Sequence, residues 1–392
     1  MGTLTIEKSR TVGIFNDSFP PIMDGVAVTV QNSAYWLYHM NQPVCVVTPR
    51  APHYVNDEPY PVYRYSSLPL ILRRPYRLGI PEIDLTFQDK LDRVPFGLVH
   101  AHCPFTSGHL AMRIAHERKI PLVATFHSKY RDDFERSFYN KKIANLMAKE
   151  VIKFYEKADE VWIPQAAVED TIREYGFKGK LVVMENGNDF ADTPEKEKFR
   201  QQARKDLNIK PDDHVFLFVG QHIWEKNTKM IVDALSMIKE LDFKMFFVGT
   251  GYAADDLKQM VADAGLVDKV VFTGMILERE LLKKYYAAAN LFLFPSIYDN
   301  APLVLREAGA LQTPSLLVKG STASEVVTDN INGFLIENSA NALAAKIREL
   351  YNQPDLLKSV GINASKTIAR SWEDITFEIN DRYNYLMQRK QK

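Results

Sequence analysis

The chain has 392 residues, 46% of them hydrophobic, which is enough for two domains that each bury a core. Its 49 Lys and Arg residues balance its 49 Asp and Glu residues, so the overall charge does not indicate a nucleic-acid partner. The two cysteines, Cys45 and Cys103, lie in or beside apolar segments without zinc-ligand spacing, and neither a signal-peptide run nor a membrane-length apolar run is found. We therefore expect a globular cytoplasmic protein.

Short apolar runs alternate with helical patterns in the first half of the chain, which is typical of a parallel α/β sheet with buried strands. The predicted strands of this half are Thr11–Phe15, Val44–Thr48, Leu98–His102, Leu122–Phe126, Val161–Pro164 and Leu181–Met184. The alternation predicts a doubly wound domain over residues 1–190.

A polar, turn-rich segment, residues 186–198, follows this half and is interpreted as the interdomain linker. A second alternation of strands and helices then predicts another doubly wound domain, over residues 191–370. Its predicted strands are Val215–Gly220, Met245–Gly249, Val270–Thr273, Leu291–Phe294 and Ser315–Val318, and its predicted helices lie near 228–240, 253–264, 279–288 and 303–312. The last segment, residues 371–392, predicts an aromatic-rich helix that returns to the first domain.

Ligands bind at the carboxyl ends of the strands in open parallel sheets, so the loops after the strands are the first candidates for a site. The loop after the first strand contains Asp17 and ends at Gly25, which permits close approach of the backbone before a helix. His127 follows the fourth strand and is either a ligand contact or a structural histidine. His100 and His102 share a strand face, but no third metal ligand accompanies them.

The most informative segment, residues 295–314, places Asp299 and Glu307 eight positions apart across a loop and the following helix. Pro302 has the φ angle suited to a first helical position, and the unpaired amides of that helix suit a diphosphate. The alternative is a capped helix with one salt-bridged acid. Lys226, after the first strand of the second half, offers a point charge to a phosphate or is a solvated lysine.

Several segments, in their order along the chain, match motifs of one family. They are Phe15–Thr29, His100–Phe105, Thr125–His127, Glu185–Asp189, Val219–Asn227, Phe272–Gly274, Gly320–Glu325 and Asn332–Phe334. With Asp299 and Glu307 in place of an E-x7-E motif, the chain resembles the family 4 retaining glycosyltransferases over nearly its whole length. The resemblance implies the GT-B fold, in which two Rossmann-like domains face each other across a cleft.

The resemblance also implies a hexosyltransferase that uses a UDP- or GDP-sugar, retains the anomeric configuration and needs neither a cofactor nor a divalent metal. A D-x-D motif is absent from the chain, in agreement with this. The implied catalytic residues are Lys226 at the diphosphate, Glu307 at the ribose hydroxyls, Asp299 at the hexose and His127 near the sugar 6-hydroxyl. The other implied donor-binding residues are Gly25, Gln221, Gly274, Asn300, Ala301, Pro302 and Leu303, and the acceptor-side residues are Asp17 and Phe105.

The sequence departs from the family pattern at three places. Asp299 replaces the first Glu, and Pro302, in a loop that is usually Gly-Phe-Gly, lacks an amide donor. Gln221 stands where the family has Arg, which is expected to cost ~2–4 kcal/mol of transition-state stabilisation unless His222 or Lys229 substitutes. These departures keep a second class of protein open, one that binds nucleotide sugars with little transfer. A GT-B epimerase or phosphorylase is a third class, but no pyridoxal lysine or phosphate site is identified for it.

The acceptor is expected to be a lipid or a glycan. Residues 68–78 combine apolar and basic side chains in a predicted loop, and residues 138–157 predict a basic amphipathic helix with five lysines. Relatives that glycosylate diacylglycerol or phosphatidylinositol imply that such elements meet an anionic membrane, at the inner face of which the protein would lie peripherally. The alternative for the helix is a core-packing face opposite solvated lysines.

Overall fold

The computed structural model describes residues 10–70, 75–138 and 140–390. The chain divides into two compact units. Unit 1 contains the residues up to Asn186 and those from Trp372 onward, and unit 2 runs from Gly187 to Ser371. Each unit contains its own parallel sheet, and each is described separately below.

Unit 1 is built on a parallel sheet of buried apolar strands. The strands of its described residues are β1 (Thr11–Phe15), β2 (Val44–Pro49), β3 (Val62–Tyr65), β4 (Ser67–Pro69), β5 (Arg77–Gly79), β6 (Phe96–Ala101), β7 (Leu122–Thr125), β8 (Glu160–Ile163) and β9 (Leu181–Val183). Seven of them form the main sheet in the order β3-β2-β1-β6-β7-β8-β9, with every neighbouring pair parallel. The strand order reverses beside β1, so that the carboxyl ends of β1 and β6 form a topological switch point.

Helices connect these strands. The helices of the first part of unit 1 are α1 (Gly25–His39), α2 (Leu85–Asp92), α3 (Thr106–Arg118), α4 (Tyr130–Phe138), α5 (Lys141–Tyr155) and α6 (Val168–Glu174). Asp24 is the N-cap of α1, and its side chain accepts a hydrogen bond of 2.8 Å from the Ala27 amide. This cap begins α1 immediately after the loop that follows β1.

Two segments of unit 1 differ from the prediction. Residues 68–78 are not simply a loop, because β4 and β5 form an antiparallel hairpin in which Leu68 lies opposite Leu78; residues 71–74 lie outside the described residues. Residues 138–157 are not one helix, because Phe138 ends α4 and α5 begins only at Lys141. Asn140 is the N-cap of α5 and accepts from two amides of its first turn, which is the reason that a new helix starts there.

Unit 2 repeats the parallel arrangement. Its strands are β10 (Val215–Val219), β11 (Lys244–Val248), β12 (Val270–Gly274), β13 (Leu291–Phe294), β14 (Ser315–Val318) and β15 (Phe334–Ile336). These described strands form one parallel sheet in the order β12-β11-β10-β13-β14-β15. The helices of unit 2 are α7 (Lys196–Asp206), α8 (Thr228–Ser236), α9 (Ala254–Asp263), α10 (Arg279–Ala288), α11 (Leu303–Ala310), α12 (Ala340–Tyr351) and α13 (Pro354–Thr367). The order reverses beside β10, so β10 and β13 form the switch point of this unit.

The segment interpreted as a linker is largely built into unit 2. From Gly187 onward it belongs to that unit, and Phe190 is buried in the hydrophobic core there. Asn188 forms a parallel bridge with Ser371, so the two places where the chain passes between the units lie side by side. Burial of the Phe190 side chain contributes to holding this otherwise polar segment in the unit.

The last helix, α14 (Trp372–Arg389), belongs to unit 1 and packs against α1 and β6. Ile375, Ile379 and Tyr383 recur at helical spacing and are buried in the core of that unit. The Tyr383 ring stacks on Trp162 with centroids 5.5 Å apart. Within the described part of the chain, no helix is both long and apolar enough to span a bilayer.

Candidate active site

Several candidate residues follow the strands at the two switch points. Lys226 lies beyond the end of β10 and Asp299 beyond the end of β13, the two strands that are neighbours in the sheet of unit 2. In unit 1, Asp17 follows β1 and His102 follows β6. Because parallel strands all end at the same edge, their following loops converge there, which is where an open α/β sheet binds ligands.

Lys226 and Asp299 form an ion pair at the carboxyl edge of unit 2. The Lys226 ammonium lies 2.8 Å from Oδ1 of Asp299, and the two side chains are only 12% and 17% exposed. Ser296 donates to the other carboxylate oxygen, Oδ2, at 2.6 Å. The cation assigned to the diphosphate and the acid assigned to the hexose are therefore adjacent, and in this structure they neutralise each other.

The suggested substitutes for the family's arginine at position 221 do not supply an unpaired cation. Gln221 is exposed, whereas the next residue, His222, is buried. Burial, and secondarily the positive charge of Lys258, lower the pKa of His222 to about 4, so its ring is neutral at pH 7. Lys229 lies on the exposed face of α8 and pairs with Asp233 at 2.8 Å. Beside Gln221, the structure therefore shows a neutral His222 and a lysine that is already paired with a carboxylate.

The loop before α11 differs from the prediction in one respect. Pro302 is the N-cap of the helix, with φ −69° and ψ 127°, and not its first helical residue, because α11 begins at Leu303. An N-cap contributes its carbonyl group to the first turn, so the helix amides begin after the proline. Asn300 and Pro302 are buried, while Ala301 and Leu303 are partly exposed. The positive end of the α11 dipole therefore begins at Leu303, and the missing N–H of Pro302 does not weaken it.

Glu307 lies in α11 with its side chain only 7% exposed, and both of its oxygens accept hydrogen bonds. Arg279 donates to Oε1 at 2.7 Å, and the Tyr286 hydroxyl donates to Oε2 at 2.7 Å. Arg279 also donates to both oxygens of Asp189, at 2.8 and 2.6 Å. Burial opposes the charge on Arg279, but the carboxylates of Glu307 and Asp189 outweigh it and raise the pKa of the guanidinium.

Asp189, Arg279 and Tyr286, which surround Glu307 directly or through Arg279, were not predicted as site residues. Asp189 was noted only as the end of a family-like motif, and Arg279 and Tyr286 lie on α10 in a pattern that reads as an ordinary amphipathic helix. Contact with Glu307 depends on α10 packing beside α11, which periodicity does not reveal. No sequence signal singled out either residue.

In unit 1, His127 and His102 form a pair of neutral imidazoles. Nε2 of His127 lies 3.0 Å from Nδ1 of His102, and the rings stack with centroids 5.2 Å apart. Burial lowers the pKa of His127 to about 4, and burial together with the neighbouring histidines lowers the pKa of His102 well below its ordinary value. At pH 7 His127 is therefore a neutral hydrogen-bonding group, which suits contact with a sugar hydroxyl better than contact with an anion.

His100 has a structural environment. Its Nδ1 lies 2.6 Å from the Tyr383 hydroxyl and its Nε2 lies 2.7 Å from the Thr125 hydroxyl, so both ring nitrogens are occupied. Tyr383 belongs to α14, and this contact fastens the last helix to the sheet of unit 1. Among the described residues, no three His, Cys, Asp or Glu side chains are grouped in a way that could hold a metal ion.

Asp17, predicted on the acceptor side, is engaged by the fold of unit 1. Its Oδ1 accepts from the Tyr65 hydroxyl at 2.9 Å and from the Ser107 amide at 3.0 Å, and the Cys103 thiol donates to Oδ2 at 3.1 Å. Asp17 thus links the loop after β1 to the start of α3. Phe105, the N-cap of α3, is 42% exposed and is the more accessible of the two acceptor-side candidates.

The two predicted donor-binding glycines lie at turns. Gly25 is the first residue of α1, and Gly274 ends β12 with φ +74° and open space where a Cβ would lie. The Gly274 carbonyl accepts from the Gly249 amide at 2.8 Å. At Gly249 a Cβ would lie 2.0 Å from the carbonyl oxygen of Gly220, so this close approach of two strand ends requires glycine.

The two Rossmann-like units, with Lys226 and Asp299 paired at the ligand-binding edge of the second, place the chain in the class of proteins with the GT-B fold. Two family models match the chain: glycosyltransferase family 4 over residues 23–192 and glycosyl transferases group 1 over residues 199–367. The chain belongs to this family of glycosyltransferases, which the resemblance of its motifs predicted.

Individual relatives are distant but extend over most of the chain. The α-monoglucosyldiacylglycerol synthase of Streptococcus pneumoniae is 26% identical over 88% of this chain and 79% of its own length. The enzyme of the same name from Acholeplasma laidlawii is 22% identical over 97% of this chain and all of its own length.

Solved structures show the same fold. Sucrose-phosphate synthase from Thermosynechococcus elongatus has a TM-score of 0.81 at 21% identity and covers 97% of this chain and 99% of its own. HepE of Anabaena, in complex with UDP-glucose, has a TM-score of 0.75 at 17% identity and covers 96% of this chain and 99% of its own. The predicted GT-B fold is thereby confirmed.

Proposed function

We propose that the chain moves a hexose from a UDP- or GDP-sugar to a lipid or glycan acceptor, with retention of anomeric configuration and without a divalent metal ion. The observation that carries this proposal is the Lys226–Asp299 pair, 2.8 Å apart where the loops after β10 and β13 converge. The complexes of HepE with UDP-glucose and with UDP and glucose support a UDP-sugar donor by analogy.

The chemistry requires charge stabilisation where the leaving group departs. As the bond between the anomeric carbon and the diphosphate oxygen breaks, negative charge grows on the diphosphate. Lys226 and the positive end of α11, which begins at Leu303, are the groups proposed to stabilise it. Retention places the acceptor hydroxyl on the face that the diphosphate leaves, so the departing phosphate oxygen is the nearest base for the hydroxyl proton.

The proposal gives His127 and Asp299 contacts with the hexose. His127 is neutral at pH 7, since burial lowers its pKa to about 4, and it therefore acts through hydrogen bonds and not as a cation. Asp299 has one oxygen held by Ser296 and one by Lys226, which fixes its orientation before a sugar binds. Glu307 is assigned to the ribose hydroxyls.

A lipid acceptor is favoured over a soluble glycan by two features of unit 1. The solvent face of α5 carries exposed lysines together with two large apolar side chains, Ile143 at 43% and Leu146 at 62% exposure. On the hairpin of β4 and β5, Leu68 and Leu78 are 55% and 49% exposed. Apolar side chains beside basic ones are typical of peripheral contact with an anionic membrane. The names of the two synthases above point to a diacylglycerol-type acceptor.

The decisive experiment is a screen of UDP- and GDP-hexoses against diacylglycerol-type and glycan acceptors, with products identified by mass spectrometry and their anomeric configuration by NMR. Transfer should persist in EDTA. Lys226→Ala and His127→Ala should each reduce turnover, whereas Lys229→Ala, which removes an exposed pair with Asp233, should not. Unchanged turnover in both site variants would overturn the site. Donor binding without transfer by the wild-type chain would instead establish the nucleotide-sugar-binding alternative.

The membrane proposal has its own test. Wild-type protein should sediment with vesicles containing anionic lipid, with binding that weakens as salt is raised. Leu146→Glu should reduce this binding, whereas Val267→Glu, an exposed apolar position at 63% in unit 2, should not. If the protein sediments equally with neutral and anionic vesicles, the proposed contact with an anionic membrane fails, and the lysines of α5 form a solvated face.

A further inference from the structure

We propose that Arg279 and Tyr286 are positioning residues that orient the Glu307 carboxylate toward the nucleotide ribose, and that they thereby make the donor site selective for ribonucleotides over 2′-deoxyribonucleotides. This inference rests on the proposed function, in which Glu307 binds the ribose hydroxyls. It adds the groups that hold that acid and the selectivity that follows.

The first step is the number of acceptor sites on Glu307. Its Oε1 accepts from Arg279 and its Oε2 accepts from Tyr286, both at 2.7 Å. A carboxylate offers about four lone-pair sites, two on each oxygen, so each oxygen keeps one site after these bonds form. The two adjacent hydroxyls of a ribose are two donors at fixed spacing. A carboxylate held by one donor on each oxygen therefore presents a complementary pair of acceptors.

The second step is the rigidity of Arg279. Its guanidinium donates to both oxygens of Asp189, at 2.8 and 2.6 Å, and lies over the Phe190 ring at 4.5 Å from the centroid. Arginine presents its donors in a planar fork, so the grip of Asp189 fixes the plane in which the bond to Glu307 is made. Asp189 and Phe190 are in turn held in unit 2, where Phe190 is buried in the core.

The third step is the charge that remains on Glu307. Arg279 is shared between two carboxylates, so the group of Asp189, Arg279 and Glu307 keeps a net negative charge. Tyr286 is fully buried and adds a neutral donor. Burial, and then the charge of Glu307, raise the pKa of Tyr286 well above its ordinary value, so it donates across the whole working pH range. Tyr286 therefore leaves the charge of this group unchanged while it donates to Oε2 of Glu307, and hydrogen bonds to charged acceptors are the strong ones.

The experiment measures nucleotide binding by calorimetry and does not depend on transfer. UDP, GDP and their 2′-deoxy counterparts are titrated into the full chain as wild type and as Glu307→Gln, Arg279→Gln, Arg279→Lys and Tyr286→Phe. Lys284→Gln is the matched control, because Lys284 is on the same helix and pairs at 2.7 Å with Asp206 instead of Glu307. Thermal unfolding of every variant reports folding separately.

The wild type should bind the ribonucleotide about tenfold more tightly than the deoxyribonucleotide, the effect of one hydrogen bond to a charged group. Glu307→Gln should remove most of this preference. Arg279→Gln and Tyr286→Phe should reduce it at least threefold, chiefly by weakening ribonucleotide binding. Arg279→Lys should also reduce it despite its retained charge, because one ammonium cannot replace the fork that spans Asp189 and Glu307. Lys284→Gln should keep the wild-type ratio.

The outcomes separate this inference from the proposed function. If the wild type binds no nucleotide, or if Glu307→Gln keeps the full preference, the assignment of Glu307 in the proposed function fails and the inference fails with it. If Glu307→Gln loses the preference while the Arg279 and Tyr286 variants keep it, only the inference is overturned. A purely structural role would lower ribo- and deoxyribonucleotide affinity equally together with the unfolding temperature, and this also overturns it.

Discussion

Replacing Asp299 by asparagine is expected to strengthen the binding of a free nucleoside diphosphate while slowing sugar transfer. At 2.8 Å, the attraction between Lys226 and Asp299 has a gross value of about 6 kcal/mol at an effective dielectric constant of about 20. Solvation and hydrogen bonding offset most of it, and a diphosphate that reaches Lys226 must compete with the remainder. Removing the carboxylate charge should recover about 1 kcal/mol, or roughly fivefold in affinity.

Transfer should change in the opposite direction. Asparagine cannot give the hexose a charged acceptor, and the loss of one such hydrogen bond, about 1.5–3 kcal/mol, corresponds to a roughly 10- to 100-fold fall in kcat/KM. Calorimetry with UDP and GDP and steady-state transfer assays on the same preparations measure the two effects. Lys226→Met, which removes the cation, should weaken both binding and transfer.

A matched control is available in the same unit. Lys244 and Asp213 lie 2.9 Å apart, but Lys244 is the first residue of β11, at the amino end of the strand. Asp213→Asn should therefore change neither nucleotide affinity nor transfer. If Asp299→Asn weakens UDP and GDP binding as Lys226→Met does, the competition between the acid and the diphosphate is refuted, and Asp299 must support the cation instead.

Three further predictions concern histidines. His222→Leu should raise the free energy of unfolding by ~1–3 kcal/mol in a urea titration, because no described group hydrogen-bonds either ring nitrogen of this buried side chain. His102→Asn, whose amide can replace Nδ1 opposite His127, should keep more transfer activity than His102→Gln, and histidine ¹⁵N NMR should show an altered His127 tautomer in the Gln variant. His127 has a pKa lowered to about 4, so the unfolded chain binds its proton first. His102 and His222 also have lowered pKa values, so between about pH 6.5 and pH 4 the wild type should lose about 3 kcal/mol more stability than His127→Ala; equal losses would contradict the neutral state of His127.

Most of the strands that the sequence predicted are covered on both faces, and the partly exposed edge strands β9 and β12 are the exceptions. Every predicted strand corresponds to one in the structure, with ends that differ by at most two residues. For the covered strands the reason is that a parallel strand buried on both faces must be a continuous apolar run. Besides the hairpin of β4 and β5, two members of the main sheets were not predicted. Val62–Tyr65 and Phe334–Ile336 are short strands at sheet edges, where a single neighbour and partial exposure weaken the pattern.

The helix that was predicted as one over residues 138–157 shows a different limit. Its apolar period continues across the break, and only the N-cap at Asn140 marks the new start. Asparagine also occurs at exposed positions within helices, so Asn140 by itself did not indicate a helix start against the continuing apolar period.

The sequence by itself determined the two α/β units, the family and the identity of the polar residues that follow the strands. Local patterns of apolar and turn-forming residues are enough to indicate buried strands and the loops after them. The tertiary structure alone decided which of those residues meet. Strand order brings Lys226 to Asp299, and the packing of α10 on α11 brings Arg279 and Tyr286 to Glu307. These contacts join residues far apart in the chain, and no local pattern encodes the order in which strands and helices become neighbours.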